Sequence, residues 1–158
     1  TSLAILRQAS QDYAGAKQLY EDALAIQEKA LGDEHPDVAM NLNNLGVCLL
    51  DAGDAAAARP LLERALAIRE KSLGPEHAQV AQSLNNLAYL MALGGNYAGA
   101  RPLLERAILV EEKALGPNDV HVADTASRLA EILRLLGDEE AAARYEARAR
   151  SITSQKGG

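Results

Sequence analysis

The string VAQSLNNLAYLMALGGNYAGARPLLERAILVEEKALG runs from Val80 to Gly116, and 42 residues earlier the chain reads VAMNLNNLGVCLLDAGDAAAARPLLERALAIREKSLG, Val38 to Gly74. The two share the Leu-Asn-Asn-Leu core (Leu84 to Leu87, Leu42 to Leu45), the Arg-Pro-Leu-Leu-Glu-Arg-Ala run (Arg101 to Ala107, Arg59 to Ala65) and a closing Leu-Gly. The same step continues outward: Asp12 to Gly32 matches Asp54 to Gly74, and Val122 to Gly137 is a weaker copy of Val80 to Gly95. A fixed period of this size marks a stacked architecture in which each unit buries its apolar face against its neighbours. The chain of 158 residues is expected to form a single array, 1–158, with units at 1–32 (first helix truncated), 36–74, 78–116 and 120–154, the last a C-terminal cap. Its abrupt start inside a helix suggests a longer parent array.

Composition bounds the rest. Hydrophobic residues make up 48% of the chain, yet there is no Phe and no Trp, so the core must be aliphatic, built from Leu, Ala, Ile and Val. The net charge is -6, with 7 Lys/Arg against 12 Asp/Glu in residues 1–79. Such a surface repels phosphate backbones, and no nucleic-acid partner is expected. Cys48 is the sole cysteine, which favours a reducing compartment. No apolar run approaches the roughly 18 to 20 residues that cross a bilayer, and no signal peptide is visible. The expectation is a cytoplasmic protein without a membrane partner.

Helical spacing is explicit. Ala16, Leu19, Tyr20, Ala23, Leu24, Ile26 and Ala30 recur at steps of three and four within a long helix over 13–31. Gly32, Gly74 and Gly116 end this helix in each copy, with the left-handed conformation expected of a C-terminal glycine. Pro36, Pro75 and Pro117 follow, and Pro36 suits the first turn of the next helix. Pro60 and Pro102 fall inside the second helix of their units, past the N-caps Asp54 and Asn96, where each costs a backbone bond and is expected to bend the helix. The final helix, Glu139 to about Thr153, carries Arg144, Arg148 and Arg150 and suits a terminal cap.

Helix–turn–helix units with Leu84, Leu87-Ala88, Gly95, Tyr97, Ala100, Leu104 and Ala107 at these spacings resemble the tetratricopeptide repeat. The 42-residue step, the LNNL core, the ERAL-I-EK-LG helix and the EHP-DVA loop (Glu34 to Ala39) resemble its kinesin light chain branch, which is also common in bacterial proteins. The resemblance implies an all-α fold: a right-handed superhelix, or α-solenoid, of about seven to eight helices in antiparallel pairs. It also implies a concave groove lined by the first helix of each unit. In kinesin light chains that groove takes short peptides bearing a tryptophan flanked by acidic residues, through Asn side chains and basic groups.

Periodicity separates the faces of these first helices independently. Val80, Leu84, Leu87, Ala88 and Met91 form the core stripe. A partly polar stripe beside it is expected to face the groove: Met40, Asn43, Val47, Leu50 and Asp51 in one unit, Gln82, Asn85, Tyr89, Ala92 and Leu93 in the next, and Asp124, Ser127, Glu131, Arg134 and Leu135 in the last. Asn43 and Asn85 each offer a donor and an acceptor to a peptide backbone, or alternatively bond neighbouring helices. Val47, Leu50, Tyr89 and Leu93 would form an apolar wall. Asn44 and Asn86 share a face with Cys48 and Leu90 and read as inter-unit packing. Arg134 is the single basic residue of the stripe, against Asp51, Asp124 and Glu131, so a neutral or basic segment with an apolar anchor fits better than an acidic one.

Other candidates read as structure. His35 and His77 align in the inter-unit loops, but each stands without a second ligand at metal spacing, so loop packing is expected and no metal. Cys48 aligns with Leu6, Leu90 and Ile132 and reads as a small core filler. Tyr13 and Tyr97 align at a helix start and are expected to pack. Nucleophile, phosphate-loop and zinc motifs are missing. The resulting expectation is a non-catalytic protein–protein interaction module without a cofactor. The alternatives are a self-associating scaffold that uses the apolar N-terminal end around Leu3, Ile5 and Leu6, or a regulatory arm of a larger multidomain protein.

Overall fold

The computed structural model describes residues 2–156, with the Lys156 side chain left aside; of the expected array 1–158, Thr1, Gly157 and Gly158 lie outside the described residues. Eight helices are formed among the described residues: α1 (Ser2–Ala9), α2 (Tyr13–Leu31), α3 (Pro36–Asp51), α4 (Ala55–Leu73), α5 (Ala78–Leu93), α6 (Tyr97–Leu115), α7 (Val120–Leu135) and α8 (Glu139–Lys156). The chain divides into two compact units, Thr1–Gly74 and Pro75–Gly158, at the join between two sequence copies.

Each unit packs its helices in chain order. In the first, α2 lies against α1 and α3, and α3 against α4. Val38, Ala39, Leu42, Ala65 and Ile68 form a buried cluster there, with Leu24 and Leu61 at its margin. In the second unit, α6 lies against α5 and α7, and α7 against α8. Its core is larger, including Leu104, Ile108, Val122, Leu129, Leu133 and Ile152, with Met91, Tyr97 and Tyr145 packed against it. Each such aliphatic side chain contributes about 1.5–3 kcal/mol on full burial, which is how a chain without Phe or Trp closes a core.

Local chemistry sets the helix ends. Asp54 and Asn96 accept from Ala57 N and Gly99 N at 3.0 Å, as side-chain N-caps should. His35 and His77 have a role that loop packing did not anticipate: their Nδ1 atoms cap α3 and α5, accepting from Asp37 N and Gln79 N at 3.2 Å. Asp119 does the same for α7 at 2.9 Å.

The glycine ends also differ in detail from expectation. Gly74 and Gly116 have φ of 89° and 96° with ψ of 153° and 155°. This is extended backbone at positive φ, nearly exclusive to glycine, rather than the left-handed helical region. Pro60 and Pro102 sit within unbroken helices, on the exposed side. The carbonyls of Ala56 and Ala98, four residues earlier, belong to exposed residues too, so solvent can reach the acceptors that lose their amide partner.

Candidate functional site

In the second unit, α6 packs against α5 and α7 and α8 packs against α7, while a row of side chains on α5 and α7 stays exposed and forms their open side. Val80, Leu84, Leu87 and Ala88 are buried, in agreement with the expected core stripe. Gln82, Tyr89 and Leu93 on α5 are exposed, the last two at 52% and 54%, and so are Asp124, Ser127, Glu131, Arg134 and Leu135 on α7. Two of the polar side chains are already engaged. Arg134 pairs with Glu146 of α8, which neutralises the one cation of the stripe. The Ser127 hydroxyl donates to Ala123 O within its own helix, at 3.0 Å.

A cavity of about 390 Å³ opens between α5, α6 and α7, with Gln82, Asn85, Glu111, His121, Asp124 and Arg128 among its lining residues. Asn85 Nδ2 donates to Glu111 Oε1 and lies 3.0 Å from both that atom and Thr125 Oγ1. The Thr125 hydroxyl lies 3.0 Å from Glu111 Oε1 and 3.3 Å from Asn85 Oδ1. Its single proton is best given to the nearer, charged oxygen. Glu111 is 4% exposed, and its Oε2 has no hydrogen-bond partner. Burial pushes the carboxyl above its ordinary value, opposed by the bonds from Thr125 and Asn85 and by the charges of His121 and Arg128.

The first unit corrects part of the expected groove. Asn43 is 2% exposed, and its Oδ1 lies 3.5 Å from Arg69 Nη1, so its amide is built into the interior. Leu50 is buried as well and supplies core, not a groove wall. Met40 is exposed and Val47 half-buried. Arg69 is itself buried, and the loss of solvent brings its pKa down to about 10. Asn85 also bonds neighbouring helices, although it remains half-buried at the cavity. For this Asn pair, helix-to-helix bonding is the arrangement found.

Sequence reasoning missed the position that organises these bonds. Gln27, Arg69 and Glu111 stand 42 residues apart on the second helix of successive copies. Gln27 Oε1 receives Asn41 Nδ2 at 2.9 Å from the next first helix, as Glu111 receives Thr125. Arg69 and Glu111 each reach back 26 residues to the Asn of their own unit. The available signal was a polar residue repeated at one register beside the apolar Ile68 and Val110.

Cys48 is buried, its thiol pushed up by desolvation, with Sγ 3.7 Å from Tyr13 O. Among the described residues, no group of three or more His, Cys, Asp or Glu is placed to hold a metal, and no helix is long and apolar enough to cross a membrane.

Comparison with known proteins adds to this geometry. A family model described as tetratricopeptide repeat matches residues 1–71, 41–108 and 79–155. No curated protein matches. Among solved structures, BtubC (BKLC) from P. vanneervenii is 26% identical with a TM-score of 0.91, over 99% of this chain and 62% of that one. A putative kinesin light chain with nearly identical TPR-like repeats, from Podosopora anserina, is 27% identical with a TM-score of 0.86, over 98% and 73%. MamA, at 20% identity and a TM-score of 0.70 over 96% and 75%, shares the fold. This chain thus spans less than two thirds of the BtubC chain.

Proposed function

The chain belongs to the tetratricopeptide repeat family, in its kinesin light chain-like branch, and from that premise we propose that it is a non-catalytic interaction module holding an extended partner segment on the open side of α5 and α7. Tetratricopeptide repeats are in general protein–protein interaction modules. The observation that carries the reading is the exposure of Tyr89 and Leu93 beside the polar row of Gln82, Asp124 and Glu131. Two large apolar side chains left in water on the helix whose N-terminal half lines the cavity are a ready anchor site, because a preformed surface loses little conformational entropy on binding. With Arg134 tied to Glu146, the charge that remains on this side favours a neutral or basic segment over an acidic one. The cytoplasm is the proposed location.

The test is a peptide array probed with the purified chain and with Tyr89→Ala/Leu93→Ala. Loss of binding in the variant, with an unchanged unfolding midpoint, supports the module. Equal binding by both proteins removes the site. A second reading, self-association, is favoured by Leu3, Ile5 and Leu6 on α1, which are 55%, 52% and 67% exposed. It predicts a mass in light scattering that rises with concentration and returns to the monomer value in Leu3→Ser/Leu6→Ser.

A further inference from the structure

We propose that the cavity walled by α5, α6 and α7 receives a cationic side chain, the guanidinium or ammonium group of the partner segment, with the Glu111 carboxylate as its counter-ion. The inference rests on the interaction-module reading and supplies the ligand chemistry of that site. At about 390 Å³ the cavity has room for a long side chain. Leu115 at its edge offers apolar surface for the methylene stem, as basic side chains commonly require.

Glu111 is more than nine-tenths buried; its Oε1 holds the bonds from Asn85 and Thr125, and its Oε2 holds none. A buried carboxylate oxygen without a donor is costly, and the N–H groups of a cation supply the strongest available partner. No side chain of the surrounding helices bonds that oxygen. From α5 come the neutral amides of Gln82, Asn85 and Asn86; from α7 come Asp124, Arg128 and His121. The formal charges of Arg128 and Asp124 cancel, so among the Asp, Glu, Lys and Arg side chains of the lining the Glu111 charge is left over. Burial is the first cause of the upward shift of the Glu111 carboxyl, and the charges of His121 and Arg128 oppose it without cancelling it. Arg69 stands at the corresponding position of the first unit, so the preference belongs to the second unit alone.

The test is calorimetric titration of the full chain with three end-capped peptides that differ only at a central residue: arginine, its neutral isostere citrulline, or glutamate. The arginine peptide should bind about tenfold more tightly than the citrulline peptide, and the glutamate peptide more weakly than either. Glu111→Gln should abolish the difference between arginine and citrulline while leaving the unfolding midpoint no lower. Equal affinity in the parent chain, or a preference that survives Glu111→Gln, would overturn the proposal. Should that variant not fold, the unmodified chain is titrated with ethylguanidinium and with ethylurea at constant ionic strength, following the Asn85 side-chain amide by nuclear magnetic resonance. A saturable shift with the cation alone supports the site, and equal or absent shifts refute it. Citrulline-peptide binding that Tyr89→Ala/Leu93→Ala removes would preserve the module even if the charge preference failed; no binding by any peptide would end both.

Discussion

Thr125→Val keeps a buried β-branched shape and deletes one hydrogen-bond donor. Thr125 is 2% exposed, and its hydroxyl lies 3.0 Å from Glu111 Oε1. A hydrogen bond to a charged group contributes about 1.5–3 kcal/mol, so the variant should lose about 2 kcal/mol at neutral pH. For a chain of this size that is a fall of about 4–8 °C in unfolding midpoint. In a Glu111→Gln background the hydroxyl meets a neutral amide oxygen, and its loss costs about 0.5–1.5 kcal/mol. The two substitutions should therefore couple by about 1 kcal/mol.

The pH dependence of that loss has a definite sign. Burial raises the Glu111 pKa above its unfolded value, and the Thr125 bond partly restrains the rise. The stability this group contributes is complete below the ordinary glutamate value and is lost as pH rises through the higher folded value. Removing the restraint raises that folded value further, so Thr125→Val should cost more at pH 7 than at pH 4. Urea unfolding of the four proteins of the cycle, followed by circular dichroism at both pH values and constant ionic strength, measures each quantity. A cost that is equal in both backgrounds and at both pH values would refute the charged-acceptor account.

Three further outcomes are expected. Asn43→Ala withdraws an acceptor from the buried Arg69 guanidinium and should destabilise the chain by about 1–3 kcal/mol in urea unfolding, where a surface Asn would cost little. Gln11 has φ of 63° at the register where Gly53, Gly95 and Gly137 stand in the other copies, so Gln11→Gly should stabilise by about 1 kcal/mol, read as a raised unfolding midpoint. His77→Asp places at the start of α5 the cap that Asp119 already provides for α7, and should add about 0.5–1 kcal/mol near neutral pH, less once the new carboxylate is protonated.

The repeat was legible throughout. The 42-residue step, the Leu and Ala spacing, and the Gly and Pro punctuation are local or periodic signals; they placed the long helix over 13–31 where α2 forms, ended the last helix near Thr153 where α8 runs on to Lys156, and separated the buried stripe of α5 from its open side. Tyr89, Leu93, Gln82, Asp124 and Glu131 are exposed as their register requires. Asn43 and Leu50, read at the same register, are not, because a stripe beside the core is open only where no neighbouring helix reaches it. Identical motifs hid that difference.

What the sequence by itself determined, then, was the unit, its helices and the direction each face looks. Which polar side chains remain available to a partner was decided by tertiary structure. Asn41 and Gln27 meet across 14 residues, Asn43 and Arg69 across 26, and Asn85 and Thr125 across 40. A helical period orders residues along one helix; it carries no information about the donor or acceptor that the next helix brings against them. The physical reason is that each buried polar group must find its bond where the packed helices place one, and that pairing left Glu111 Oε2 without a donor at the wall of a cavity.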